Sequence, residues 1–377
     1  MTITALLFIG AGGASPLERW MAAGRLAAAA DSLAALQQVP GLDRVVVATN
    51  QPRLAAEHPE WPVLWDFDPP GAPFHFGARL AALTAAYPAD VHVYLGAGCA
   101  PLLPAQALAQ AAAEVAAAPG PCAVANNPLS SDWVIFNCAP AIQARPERLG
   151  RDNMLGPVLR REAGVTVLGQ PVGAAARADL DTPADLAAVG QRLDQLGPHL
   201  ADFLRRQPPP AGLQARWAAA RQVLHTPEAR VTVVGRVAAS VWGAVERQAK
   251  AWVRVLSEER GMTASGRLAA GRVRSLVAAH LLNIGPAAFC AELAEMADVV
   301  FFDTRVALAH AGRWPAAADR YASDAGVVEA VQDEWLHSLT AAAAAASIPI
   351  LLGGHGVVTG DLLALLEAGP PATPGAG

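Results

Sequence analysis

The 377-residue chain predicts two α/β domains joined by a connector, the first on a mostly parallel sheet and the second a smaller three-layer unit. Three observations predict it. Short apolar runs alternate with helical apolar spacing from Met1 to about Gln195, and again from Arg230 onward. The stretch from Gly197 to Pro227 carries Pro208-Pro209-Pro210 and arginine-rich helical pieces, the mark of a connector. Dividing the length by a typical domain of ~150 residues gives about two domains. The expected boundaries are 1–196, 197–228 and 229–369, with a loose Pro/Gly tail at 370–377.

Each element follows from local pattern. In the first domain, Ile3–Ile9, Arg44–Ala48, Val63–Trp65, Val91–Leu95, Cys122–Ala125, Trp133–Phe136 and Val165–Leu168 read as strands. Leu17–Leu36, Gly77–Tyr87, Pro104–Ala118 and Asn153–Ala163 read as helices between them, and Asp181-Thr182-Pro183 opens another. Leu213–Leu224 is helical within the connector. In the second domain the strands are Arg230–Val234, Trp252–Leu256, Val299–Phe302 and Pro349–Leu352. Its helices are Ala238–Lys250, Gly266–Leu282, Pro286–Ala297, Val327–Ala346 and Asp361–Glu367.

Composition narrows the function classes. With 53% hydrophobic and 16% charged residues the chain is not disordered. A net charge of -5 argues against a partner rich in nucleic-acid phosphates. No stretch of about 20 strongly apolar residues exists, so no membrane span is expected. Cys99, Cys122, Cys138 and Cys290 form no metal-knuckle or disulfide spacing. With no signal-peptide pattern at the N-terminus, the expectation is a soluble cytoplasmic protein. Lys250 is the only lysine, which excludes lysine chemistry from the first half.

Ligands of open α/β sheets bind beyond the carboxyl ends of the strands, and the polar residues cluster there. Gly10-Ala11-Gly12-Gly13 follows the first strand and precedes a helix, where backbone N–H groups can approach a phosphate. Asn50 ends the second strand, and Gly96-Ala97-Gly98-Cys99-Ala100-Pro101 ends the fourth. Asn126-Asn127 ends the fifth, followed by Ser130-Ser131-Asp132. Asp179-Leu180-Asp181-Thr182-Pro183-Ala184-Asp185-Leu186 closes the set. Helix capping is the plain alternative for its acids and for Asp152, as a structural histidine is for His75.

The glycine loop, the Gly-Cys-Ala-Pro turn and the terminal Asp motif resemble the nucleotidyltransferase-type fold shared with nucleotide-sugar glycosyltransferases, the GT-A fold. Within it the nearest group is the molybdenum-cofactor and phospholactate nucleotidylyltransferases. The resemblance covers roughly residues 1–195 and implies a GT-A, Rossmann-like first domain. It implies Mg²⁺ on a triphosphate, with Asp179 and Asp181 as ligands and Asp132 beside them in catalysis. It implies phosphate and nucleotide contacts from Gly10, Gly12, Gly13, Arg19, Asn50 and Gly98, and acceptor contacts from Asn126, Asn127 and Ser131. The chain departs from the group's pattern at Cys99, where an Asp is usual, and in lacking the lysine downstream of the glycine loop. A thiol is a poor ligand for a hard cation.

The second, Rossmann-like domain shows no family resemblance, but its polar turns also follow strands. Arg236, Glu258, Glu259, Arg260, Asp303, Arg305, Gly354 and His355 are expected to line a crevice. Arginine forks there suit phosphate or carboxylate, with structural ion pairs as the alternative.

The leading expectation is an enzyme that joins a nucleoside triphosphate to a small phosphorylated or hydroxylated acceptor and releases pyrophosphate. A nucleotide-sugar glycosyltransferase and a catalytically silent binder of nucleotides or phosphometabolites are the alternatives. The acceptor, the base and the assembly state, a homodimer included, are left open.

Overall fold

The computed structural model describes residues 1–371. The chain divides into two compact units. The first comprises Met1–Gly12, Arg25–Pro171 and Gly197–Leu200; the second comprises Gly13–Gly24, Val172–Leu196 and the chain from Ala201.

In the first unit, β1 (Ile3–Ile9), β2 (Leu42–Thr49), β3 (Leu64–Phe67), β4 (Val91–Gly96), β5 (Cys122–Ala125), β6 (Trp133–Phe136) and β7 (Thr166–Gly169) form one seven-stranded sheet. The order is β3-β2-β1-β4-β6-β5-β7. All pairings are parallel except those of β6. Alternation along the strands explains why both faces are dry. Ile3, Ala5, Leu7 and Ile9 of β1 bury on one face with Val45, Val47, Val93 and Leu95. Leu6 buries on the other with Val46, Tyr94, Phe76, Leu80 and Phe136. The chain runs outward from β1 to β2 and β3, then returns to lay β4 on the other flank of β1. Strand order therefore reverses between β1 and β4, which opens a crevice at their carboxyl ends.

In the second unit, β8 (Arg230–Gly235), β9 (Trp252–Ser257), β10 (Val299–Asp303) and β11 (Ile350–Gly353) form a parallel sheet in the order β11-β10-β8-β9. Here the reversal falls between β8 and β10. Val234, Val300, Phe302, Ile350 and Leu352 bury against Phe289, Leu336 and Leu339. Phe301 points the other way, onto Trp217, with ring centroids 6.2 Å apart. The sheet is thus covered on both faces, as expected for a three-layer unit.

Three differences from the sequence reading have physical causes. The division between units falls after Pro171 rather than at 196, and Gly13–Gly24 goes with the second unit. The expected connector is core: the Ala211–Leu224 helix buries Leu213, Trp217, Ala220 and Leu224. The helix expected at Gly266–Leu282 begins only at Leu276. Gly261, Gly266 and Gly271 take positive φ of 71°, 70° and 63°, which breaks a helix into successive turns. Of the tail, Gly369 and Pro370 are held through their carbonyls by Arg221, and the rest of that expectation lies outside the described residues beyond Pro371. Among the described residues no helix is long and apolar enough to cross a membrane.

Trp217 is fully buried, so Trp217→Ala is expected to destabilise the second unit by about 3–5 kcal/mol in denaturant melts. A loss below about 1 kcal/mol would return Ala211–Leu224 to the role of a linker.

Candidate functional site

At the first reversal, Gly10–Ala14 leaves β1 fully exposed and outside any helix or strand. A Cβ placed on Gly10 meets nothing within 4 Å, so open space lies beside that backbone. Gln51 Nε2 donates to the Gly10 carbonyl at 3.0 Å and fixes the loop's root. Across the gap, the Ala97 N–H donates to Phe8 O at 3.0 Å. In the turn that follows β4, Ala100 holds a φ of 55°, a left-handed conformation that an alanine adopts only under local constraint. Gly98 and Cys99 are buried, the thiol among the apolar side chains of the core. Asn50 is exposed at the end of β2.

Beside the glycine loop stands an aromatic group. Phe8 packs on Tyr94 at 5.2 Å and edge-on against Phe74 at 6.4 Å, and Phe74 is 62% exposed. An exposed ring braced by a second ring is a stacking platform for a planar ligand. His75 caps the Phe76–Ala86 helix, its Nδ1 accepting from Ala78 N at 3.2 Å, so the structural reading holds for it.

On the same edge of the sheet, β6 runs antiparallel, so its first residue meets the end of β4 (Leu95 opposite Trp133). This register brings the β5–β6 turn to the crevice side. Asn126 closes that turn: its Oδ1 accepts from Asp132 N at 2.9 Å and its Nδ2 donates to Asp132 Oδ2 at 2.7 Å. Asn153 Nδ2 donates to Asp132 Oδ1 at 3.0 Å. Tyr94 Oη donates to Asp152 Oδ2 at 3.1 Å. Burial, reinforced by the Asp152 charge, pushes the Tyr94 hydroxyl well above its usual range, so it remains a donor. Asp132 and Asp152 are thereby held as oriented carboxylates. Ser131 is buried and spent on the fold, donating to Asp152 O and accepting from Gly156 N, both at 3.1 Å. Asn127 accepts from Leu129 N at 3.2 Å and shapes the turn.

The remaining expected residues fall in the second unit. The Arg19 guanidinium donates to its own loop at Ala14 O. Asp181 is exposed and Asp179 half-buried. Asp185, which the sequence reading did not single out, is fully buried and accepts from Asp181 N and Thr182 N at 2.8 and 2.5 Å. The Thr182-x-x-Asp185 spacing of a capping box was the signal for it. Among the described residues, no group of three or more His, Cys, Asp or Glu side chains is disposed to hold a metal ion. Asp132 belongs to the first unit, and Asp179 and Asp181 to the second.

At the second reversal, Asp303 ends β10 fully buried. It accepts from Arg236 Nε at 2.5 Å and Nη2 at 3.0 Å, and caps the next helix through Arg305 N at 3.2 Å. Burial pushes its carboxyl up, but Arg236 outweighs that and holds it below the usual range. His355 Nε2 donates to Arg236 O at 3.2 Å. Desolvation and the Arg236 charge lower its pKa, to about 4, although the residue is exposed.

Arg236, Asp303 and His355 thus come together, with the Arg260 charge reaching His355 and the Arg305 N–H on Asp303. Arg305 forms a buried fork with Asp324, at 2.9 and 2.5 Å. Glu258 is tied to Ser275 Oγ and Leu276 N, and Glu259 to Arg267 and Arg274 N. These contacts staple the loop after β9. Gly354 is buried, and a Cβ there would stand 3.1 Å from Thr182 Cγ2. Its glycine serves close packing and opens no phosphate cradle. Arg260 is exposed on that loop.

No family model matches the chain, and no curated protein does. Over about half its length the chain is structurally similar to cytidylyltransferases and other nucleotidyltransferases. A protein of Desulfovibrio desulfuricans assigned as a nucleotide-diphospho-sugar transferase shares 16% identity over 58% of this chain and 99% of its own, with a TM-score of 0.43. A nucleotidyl transferase from Methanothermobacter shares 16% identity over 55% and 99%, with a TM-score of 0.38. A CMP:2-keto-3-deoxy-manno-octonic acid synthetase complexed with CTP shares 12% over 45% and 89%, with a TM-score of 0.35. At these values the likeness is one of fold, and the chemistry must come from this chain's own residues.

The Asp303 carboxylate is depressed in the folded state, so its contribution to stability is present above the unfolded pKa and is lost as pH falls through the folded one. Melting temperature should fall as pH drops below about 4. Asp303→Ala, which strands a half-buried arginine, should cost about 3–5 kcal/mol at pH 7 and flatten that acid limb.

Proposed function

We propose that the first unit binds a nucleoside triphosphate at the β1/β4 reversal and transfers its nucleotidyl group to a small phosphorylated or hydroxylated acceptor. The observation that supports this most directly is the exposed glycine loop at the reversal, with empty space beside Gly10 and the Phe8–Phe74 platform adjacent. Backbone N–H groups of Gly10 and Gly12 would meet the phosphates, and Phe74 would stack on the base. The metal would arrive as part of the substrate, on the triphosphate. An acceptor oxygen attacks the α-phosphorus, the bond to the β-phosphate oxygen breaks, and pyrophosphate leaves. For a hydroxyl acceptor, Asp132 is the carboxylate proposed to take the proton, oriented by Asn126 and Asn153.

A second reading, binding without turnover, draws on Cys99. The resemblance puts an aspartate there, and the thiol is buried in apolar surroundings. Such a protein would sense a nucleotide and leave it intact.

Calorimetry with ATP, GTP, CTP and UTP, each with Mg²⁺, tests both readings, and heat from none of them would end both. Pyrophosphate release with a pool of small phosphorylated and hydroxylated acceptors then separates turnover from binding. Gly10→Val fills the open space without touching the core. It should weaken the bound nucleotide at least about tenfold, or 1.4 kcal/mol, with an unchanged melting curve. Phe74→Ala should cost about 1–3 kcal/mol of affinity if the base stacks there.

A further inference from the structure

The crevice between β8 and β10 is filled at its floor and charged at its rim. The floor is the fork of Arg236 on Asp303. Gly235 makes that fork possible: it holds a φ of 130°, and a Cβ there would stand 2.4 Å from Asp303 Cβ. The chain can therefore turn onto the carboxylate only without a side chain at this position. The fork uses Nε and Nη2 of Arg236. Among the described residues Nη1 has no partner, and the side chain is 17% exposed.

A second arginine is held beside this turn. Glu258 N donates to Gly235 O at 3.0 Å and Ser257 Oγ to Val237 O at 2.9 Å, so the end of β9 is tied to the segment that carries Arg236. Glu259 then takes a φ of 54°, left-handed for a residue with a side chain. Its carboxylate keeps it there, Oε2 accepting from Arg267 Nε at 2.8 Å and Oε1 from Arg274 N at 3.1 Å. Arg260 follows directly. It is exposed, and among the described residues its guanidinium has no hydrogen-bond or ion-pair partner. The two glutamates before it are committed to the loop's own donors, Glu258 to Ser275 Oγ and Leu276 N, Glu259 to Arg267 and Arg274 N.

The Arg260 charge nonetheless arrives at the crevice. His355, whose Nε2 donates to Arg236 O, registers it: after desolvation, the Arg236 charge and then the Arg260 charge disfavour its protonation, with Asp303 opposing them. Asp303 matches the charge of Arg236, whereas the charge of Arg260 is unmatched, and both arginines keep unused N–H donors. A single carboxylate is satisfied by one guanidinium fork. Donors from two separate guanidinia suit the three free oxygens of a tetrahedral phosphate group.

We propose that Arg236 Nη1 and the Arg260 guanidinium form an oxyanion site in the second unit, for a phosphate group that is free or carried by a small metabolite. The site uses only residues of the second unit and does not depend on nucleotide binding by the first.

The test uses the full chain without nucleotide. Binding of inorganic phosphate, phenyl phosphate and acetate is measured by calorimetry at constant ionic strength. The imidazole ¹⁵N resonances of His355, assigned with His355→Asn, serve as the local reporter. The expected result is saturable binding of a phosphate with a shift of those resonances, and acetate weaker by at least about tenfold. The tighter of the two phosphates tells whether the site takes the free ion or a monoester. Arg260→Ala removes a guanidinium that the fold does not use. It should weaken phosphate at least about tenfold with an unchanged melting curve, and Arg260→Lys should recover only part of the loss. Arg272→Ala removes the same charge from an exposed position farther along the loop and should leave binding within about twofold. Gly10→Val should also leave it intact, which separates this site from the glycine loop of the first unit. No saturable binding of either phosphate would overturn the proposal. So would acetate binding as tightly as phosphate, binding that survives Arg260→Ala, or binding lost equally with Arg272→Ala or with Gly10→Val.

Discussion

A parallel sheet whose crossovers run outward in both directions from its middle must leave a gap where the direction changes, and both units of this chain are built around such a gap. Between β1 and β4, and again between β8 and β10, adjacent strands send their connections away from each other. No crossover covers their carboxyl ends, so the turns there are free to carry polar groups. The two units use that freedom in opposite ways. The first leaves a glycine loop in solvent with space beside its backbone. The second fills the corresponding place with an ion pair, Arg236 on Asp303, and lets His355 close on the Arg236 carbonyl. The same topology thus yields an open edge and a plugged one.

The strand framework was legible because burial on both faces writes itself as short apolar runs. Cys122–Ala125 and Trp133–Phe136 begin and end where their patterns do. What misled was apolar spacing without helix. Met262, Leu268 and Val273 do bury together, with Ala309, but in a chain of turns held by positive-φ glycines and stapled by Glu259. Periodicity reports which side chains leave water; it does not say which backbone carries them when glycines interrupt at this density. The connector failed for the converse reason: prolines announced a linker, but the helix after them carries a tryptophan that the second core needs.

The candidate sites were legible in residue type more than in role. Polar residues at strand ends were expected to gather at the sheet edges, and many are spent on local geometry. Ser131, Glu258, Glu259 and Gly354 each serve a turn, a staple or a close approach. A carboxylate that accepts from backbone N–H groups looks the same in sequence as one that faces a ligand. Pair distance supplies the difference, and it joins residues far apart in the chain. Nothing near Asp185 points to Asp361, and Gly356, which lets the two approach, lies in a separate segment of the chain.

Buried charge in the second unit follows a consistent rule that makes its exception informative. Asp303 answers Arg236, and Asp324 answers Arg305, each through a two-point fork. Arg192, nearly buried, answers Glu367, which also accepts from Ala174 N. In each case desolvation is offset by a guanidinium whose geometry matches a carboxylate. At Asp185 and Asp361 the neighbouring arginine is already committed, and the closest additional charges are acidic. A chain that pairs its other buried acids with arginine has left these two to each other, and the proton in the hydrogen bond between Asp185 and Asp361 keeps the pair from carrying two buried charges.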